Sequence, residues 1–311
     1  MNVNAVYLRS PLPVFAGLLH RRGALLLALL LGPPLLWMCV IYLGSLLALL
    51  WQGFHGFDEY SMQVLPTLTL RNYQLILAQA NLAIVLRTLA MACAVTLGAA
   101  IIAFPIAYYM SRYASARVKA FFYIGVMLPM WASYIVKAYS WSVILAKGGI
   151  VSWMLAKLHL GWALELVLSV PGVGGSTLST SNLGRFLVFT YIWLPFMVLP
   201  IQAALERVPA SLVQASMDLG ARNLQTFRHV IWPLAFPGVV AGSIFTFSLT
   251  LGDYIIPTLV GPSGLFLGTY VYVQQGAVGN IPMAAAFTMV PIVLVAIYLS
   301  VARRLGAFDA L

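Results

Sequence analysis

The chain has 311 residues, of which 62% are hydrophobic and only 8% charged. Soluble domains carry about 45–50% apolar and about 25% charged residues, so this chain cannot cover a water-facing surface and a soluble enzyme is excluded. A net charge of +10, from 17 Lys and Arg against 7 Asp and Glu, would point to nucleic acid in a soluble chain. Here the basic residues lie between long apolar runs, where the positive-inside bias accounts for them and no nucleic-acid partner is expected.

A helix needs about 20 mostly apolar residues to cross ~30 Å of hydrocarbon. Without water to satisfy the backbone, helices are forced rather than chosen. Six segments qualify: Ala24–Trp51, Thr88–Met110, Ala120–Trp141, Phe186–Leu205, Pro237–Ile256 and Met283–Val301. Long strands of alternating polarity do not occur, which excludes a β-barrel. The expected fold is therefore an all-α polytopic membrane protein in contact with lipid, with a terminal segment 1–23 and one transmembrane domain over 24–311.

Arg21-Arg22 before the first apolar run resembles the start of a signal peptide. That run far exceeds a 7–15-residue signal core and no small-residue cleavage site closes it, so an uncleaved span is predicted. The residues after the arginine pair do not fit a twin-arginine export signal. Cys39 and Cys93 sit inside apolar runs and read as small core hydrophobes.

Loop charge orients the stack. Arg9, Arg21 and Arg22 precede the first span, and Arg112, Arg117 and Lys119 fill the second–third loop. Arg207, Arg222 and Arg228 lie in the fourth–fifth loop, and Arg303-Arg304 follow the last span. The opposite side holds Arg71, Arg87, Lys137, Lys147, Lys157 and Arg185, so both termini are expected in the cytoplasm of a bacterial inner membrane. Of the outer segments (Gln52–Arg87, Ser142–Arg185 and about Pro257–Pro282), the middle one carries Trp153, Leu155 and Leu158 at helical spacing. A short interfacial helix is predicted there, followed by a flexible Gly/Ser/Thr-rich loop over Pro171–Asn182. The Gly172-Val-Gly-Gly-Ser-Thr run lacks the lysine of a phosphate loop. His20, His55, His159 and His229 are scattered on both sides, so neither metal nor cofactor is expected.

The most informative segment joins the fourth and fifth spans, over about 206–236. Pro209 suits a first helical position and Gly220 the left-handed residue that ends a helix. Between them Leu212, Ala215, Ser216 and Leu219 follow i, i+3, i+4, i+7 spacing. A second helix then offers Leu224, Phe227 and Val230 or Ile231 before Pro233 stops it. Such a helix–turn–helix bracket cannot bury its own apolar ridge. It either fits a groove on another protein or lies on the bilayer.

The bracket resembles the EAA loop of bacterial ABC importer permeases, whose pattern is Glu-Ala-Ala, three residues, Gly, nine residues, Ile-x-Leu-Pro. Gln214-Ala215-Ser216 stands at the Glu-Ala-Ala positions, Gly220 at the glycine, and Val230-Ile231-Trp232-Pro233 at the end. Gln214 replaces the acid, with Asp218 nearby, and Trp232 replaces the leucine. Within that superfamily the chain is similar to permeases of polyamine (spermidine/putrescine) importers. The phrases that carry this likeness include Phe104-Pro-Ile-Ala-Tyr108, Val136-Lys-Ala-Tyr-Ser-Trp141, Met217-Asp-Leu-Gly-Ala221 and Leu251-Gly-Asp-Tyr-Ile-Ile-Pro257.

The resemblance implies a type I importer permease with six transmembrane helices, forming half of a translocation path. Its implied partners are a cytoplasmic ABC ATPase dimer, a second, related permease and a periplasmic solute-binding protein. ATP hydrolysis would belong to the ATPase, and this chain contains no G-x-x-x-x-G-K-[ST] string. The expected coupling residues are Leu212, Gln214, Ala215, Ser216, Asp218, Leu219, Gly220, Ala221, Phe227 and Pro233.

Ionisable groups within the membrane are costly and usually face a cavity. Asp253, near the end of the fifth span with Tyr254 beside it, either attracts a cationic amine or pairs with Lys137 or Arg87. Trp131, Tyr134 and Trp193 could hold an ammonium by cation–π contact, or belong to the interfacial aromatic belt. The rival class is an ion-gradient transporter or channel, which would need acids or histidines in several spans. Only Asp253 approaches that.

Overall fold

The computed structural model describes residues Gly23–Arg304, with side chains from Leu27 onward. Arg9, His20, Arg21, Arg22 and all of the predicted segment 1–23 except Gly23 lie outside the described residues. The chain divides into two units, residues 1–52 and 53–311.

The described part of the first unit is helical throughout: α1 (Gly23–Trp37), a π-helical turn over Met38–Leu43, and α2 (Gly44–Gln52). Its apolar side chains are largely exposed and Leu27–Gln52 is long and apolar enough to span. Cys39 is exposed on it, and Cys93 is exposed on a later helix. Both therefore stand on outward surfaces of the chain rather than in its core.

The second unit begins with an antiparallel hairpin that the hydropathy pattern does not announce, β1 (His55–Asp58) and β2 (Gln63–Leu68). Asn72, on the short helix α3 (Arg71–Ile76), donates from Nδ2 to the carbonyls of Gly53 at 2.9 Å and His55 at 2.8 Å and ties down the hairpin's base. There follow α4 (Gln79–Arg112), α5 (Ala116–Trp131), α6 (Tyr134–Ile144), α7 (Ile150–Lys157), α8 (Gly161–Leu168) and α9 (Asn182–Glu206). The chain continues through α10 (Ala210–Asp218), α11 (Asn223–Thr226), a π turn at Phe227–Ile231 and α12 (Trp232–Gly252). It closes with α13 (Ile255–Leu259), α14 (Leu267–Gly276) and α15 (Ile281–Arg304).

Helices α4, α9 and α12 pack on one another and form the core of this unit. On α4 the fully buried residues Ala92, Val95, Ala99, Ala103 and Ala107 recur every three to four positions. Lipid supplies no hydrophobic drive between helices, so small residues that allow close backbone approach decide where they meet. Among the described residues five helices are long and apolar enough to span, or six if one bent pair counts as a single crossing.

That bent pair corrects the predicted third span, Ala120–Trp141. α5 stops at Trp131, Ala132 and Ser133 turn extended (ψ 144° and 134°), and α6 leaves at 99°. A helix end frees backbone carbonyls that need donors. Lys137 supplies one, its Nζ donating to the Pro129 carbonyl at 2.8 Å across the break.

A second correction concerns Pro233, which does not stop the second bracket helix. Asn223–Gly252 runs through as one 30-residue span. The π turn Phe227–Ile231 ends just ahead of the proline, which then occupies the first turn of α12. There its missing N–H breaks no regular ladder, because the register has already shifted.

The predicted flexible loop at Pro171–Asn182 is likewise anchored. Leu178 is buried, the Ser179 N–H donates to the Leu145 carbonyl at 3.0 Å, and the Gly261 N–H donates to the Ser179 carbonyl at 2.7 Å. Ser181 caps α9, its Oγ accepting from the Gly184 N–H at 2.9 Å. Two short helices, α7 and α8, precede it where one was expected.

Candidate functional site

The bracket between α9 and α12 is held from both ends. Beneath it Lys119 and Glu206 form an ion pair at 2.5 Å, and Gln202 Nε2 donates to Tyr123 Oη at 2.7 Å and Glu206 Oε1 at 3.0 Å. Arg112 Nη2 donates to the Val208 carbonyl at 3.2 Å as the chain leaves α9. Pro209 is the residue before α10 rather than its first helical position.

At the other end of α10, Gly220 takes φ +83°. Its N–H donates to the Met217 carbonyl at 2.8 Å, and the Ala221 N–H to the Ser216 carbonyl at 3.1 Å. This double closure needs a left-handed residue and stops the helix where the sequence predicted. Ser216 Oγ and the buried Thr226 Oγ1, 3.0 Å apart, fasten α10 to α11. Phe227 sits edge-on to Phe104 and Tyr108 at 5.8 and 5.9 Å, and Trp232 packs on Phe104 at 5.3 Å. Trp232, in place of a leucine, thus completes an aromatic anchor.

With the bracket fixed from within, its outer apolar side chains stay uncovered. Leu212 is 47%, Leu219 89% and Leu224 76% exposed. Gln214, Ala215 and Asp218 are exposed beside them, and Ala221 is half-buried. Leu212, Ala215, Ser216, Leu219, Gln225 and His229 border a hollow of about 580 Å3 between the two helices. The surface is therefore a ridge with a groove beside it, and Ser216 belongs to the groove.

The second cluster forms where α12 ends. Tyr134, Trp193, Ser248, Leu249, Asp253 and Tyr254 border a hollow of about 360 Å3. Asp253 Oδ1 accepts from the N–H groups of Ile255 at 2.7 Å and Ile256 at 3.2 Å, capping α13, and Tyr134 Oη donates to Oδ2. The carboxylate pairs with neither Lys137 nor Arg87. Tyr134 stacks on Trp193 at 5.7 Å between centroids, and Lys137 Nζ lies 5.9 Å from the Tyr134 ring centroid. Tyr254 stacks on Tyr272 at 4.8 Å. A carboxylate at a hollow bordered by Tyr134, Trp193 and Tyr254 is suited to a primary ammonium, by charge and by cation–π attraction. Trp131 is not brought here: it is 87% exposed at the end of α5. Among the described residues no three of His, Cys, Asp and Glu converge as metal ligands would.

One residue with a structural part in this region looks, in the sequence, like loop charge alone. Arg185 is fully buried in the first turns of α9. Its Nε donates to the Val260 carbonyl at 2.8 Å, and Nη2 to Pro262 at 2.9 Å and Pro257 at 3.4 Å. Nη1 reaches Asn182 Oδ1 at 3.1 Å, and the guanidinium lies 4.4 Å from the Phe266 ring centroid. Gly261 permits this with φ +104° and no side chain, since a Cβ there would run into the guanidinium. Arg185 thereby gathers the segment that follows Asp253.

The family described as binding-protein-dependent transport system inner membrane component matches residues 95–307. The inner membrane ABC transporter permease protein YdcU of Escherichia coli K12 is 64% identical over 94% of this chain and 93% of its own length. The spermidine/putrescine transport system permease protein PotB of the same organism is 28% identical over 76% of this chain and 82% of its own. In fold, the chain resembles a bacterial ABC transporter involved in the import of the acidic polysaccharide alginate. The TM-score is 0.67 with 19% identity, over 91% of this chain and 96% of that one. A chain built on this fold and matched over most of its length belongs to the family of binding-protein-dependent transport system inner membrane components, as a permease subunit of an ABC importer.

Proposed function

We propose that this permease imports polyamines or a related cationic organic solute, and that the 206–236 bracket is where a cytoplasmic ABC ATPase dimer drives it. The chain supplies half of the path; a second, related permease supplies the other half, and a periplasmic binding protein delivers the solute. Both termini, with the bracket, face the cytoplasm, in keeping with the eleven basic residues on that side.

The observation that carries the coupling is the uncovered Leu212–Leu219–Leu224 ridge on a bracket rigidly pinned from beneath. Apolar groups held out from a fixed scaffold are what a groove on a partner protein receives. For the solute, support comes from relatives named for spermidine and putrescine and from the Asp253 hollow. A carboxylate against Tyr134, Trp193 and Tyr254 favours an ammonium and disfavours an acidic polymer such as alginate. Uptake of labelled putrescine and spermidine by cells whose other polyamine importers are deleted tests the solute. Uptake of neither amine refutes the polyamine assignment. Leu219→Glu with Leu224→Glu tests the coupling, with loss of ATPase co-purification expected from an intact, membrane-inserted permease; full retention rejects the ridge as the joint.

A further inference from the structure

A third hollow, of about 390 Å3, lies on the outer surface of the α4–α9 seam. Arg87, Ala90, Met91 and Ala94 border it at i, i+3, i+4, i+7 along α4, and Leu183 and Phe186 face them from α9. Gly172 and Val173 of the anchored 171–182 segment close one side. A heptad of helix covers about 10 Å, so the groove leads from a single guanidinium into a purely apolar stretch within a membrane span.

The polar end is strongly one-signed. Asn182, the other polar residue on the border, is already engaged: its Nδ2 donates to the Gly172 carbonyl at 2.8 Å and its Oδ1 accepts from Arg185. The one ion pair among the described residues, Lys119 with Glu206, belongs to the bracket end. Arg87 itself is exposed and holds no hydrogen-bond or ion-pair partner among the described residues. The Arg87 guanidinium thus stands, without a carboxylate partner among the described residues, at the head of a groove walled by alkyl groups and a ring.

We propose that this groove is a binding site for one anionic phospholipid. The headgroup phosphate takes the Arg87 fork and one acyl chain lies along Ala90, Met91 and Ala94 against Phe186. Charge complementarity selects this occupant. A guanidinium matches phosphate in a bidentate geometry, its charge repels any cationic solute, and without a carboxylate partner it favours a headgroup with net negative charge over a zwitterionic one. The apolar walls suit the tail, which is also the local solvent at this depth.

The proposal is tested on the purified full importer complex by native mass spectrometry, with phosphatidylglycerol and phosphatidylcholine at equal concentration. One phosphatidylglycerol retained per copy of this chain is expected, in preference to phosphatidylcholine. Arg87→Gln should weaken that retention about fivefold, the factor for one basic residue near an anionic headgroup. Ala94→Phe, which leaves the charge in place and fills the tail groove, should weaken it as well. Equal retention of both lipids overturns the site, as does undiminished phosphatidylglycerol binding in both variants. Disulfide or cross-linker capture of Ala90→Cys by another subunit would likewise overturn it, because a protein surface would then occupy the groove.

Discussion

Replacing Gly220 separates a backbone requirement from a surface requirement at the proposed ATPase joint. A Cβ built at Gly220 meets no atom within 4 Å, so a side chain there costs nothing in collision. What it costs is conformation: at φ +83° an ordinary L-residue is disfavoured by roughly 1–2 kcal/mol, less for Asn and more for a β-branched residue. If the chain leaves the left-handed region, the closures from Gly220 to Met217 and from Ala221 to Ser216 open. Each such hydrogen bond contributes about 0.5–1.5 kcal/mol. Gly220→Asn should therefore behave like the parent, Gly220→Ala should be intermediate, and Gly220→Val should lose at least about tenfold in ATPase affinity, a factor corresponding to 1.4 kcal/mol. Co-purification and solute-stimulated ATP hydrolysis in reconstituted complexes read the series. Tolerance of valine, or an alanine variant as damaged as valine, would refute the conformational account; the second outcome would mean that a partner surface presses on the bare α-carbon.

Arg185→Lys keeps the charge but loses the fork that gathers Val260, Pro257 and Pro262, and should cost about 2–4 kcal/mol. In a detergent melt this is a fall in Tm of roughly 5–10 °C, and an unchanged Tm would show that the three carbonyls need no common donor. Asp253→Asn preserves a cap for α13 and removes the negative charge, so solute uptake should fall at least about tenfold while Tm moves by less than about 2 °C. Tyr134→Phe should retain more uptake than Asp253→Asn, and the reverse order would take the carboxylate out of the solute path. Ser216→Ala and Thr226→Val should couple by about 1 kcal/mol in a double-mutant cycle on complex stability, since each hydroxyl serves the other; additive losses would break that pairing.

Most of the long crossings and the C-terminal end of α10 were legible in the sequence because their causes are local. Twenty apolar residues leave lipid-embedded backbone no choice but a helix, and Gly220 announces its own φ. Features decided by distant contacts were not legible. Nothing in Ala132-Ser133 announces a 99° break; Lys137 reaching back to Pro129 and Tyr134 stacking on Trp193 stabilise it. Pro233 reads as a stop by the local rule, and only the preceding π turn removes the conflict. Arg185 reads as loop charge because the three carbonyls it donates to lie 72–77 residues away. The Ser/Thr/Gly composition of 171–182 resembles slack chain until Leu178 is seen buried. At the candidate path, residue type singled out Asp253, Tyr134, Trp193 and Tyr254, and also Trp131, whose aromatic chemistry is the same but whose direction is set by the bend.

The uninterrupted run from Asn223 to Gly252 has a mechanical meaning. Thirty residues of helix measure about 45 Å, with the second bracket helix at one tip and Asp253 just past the other. A pivot of only 10° about the lower tip would sweep the upper one through an arc of about 8 Å over that length. The shaft can therefore work as a lever, turning a small push on Leu224 into a displacement large enough to part Asp253 from Tyr134.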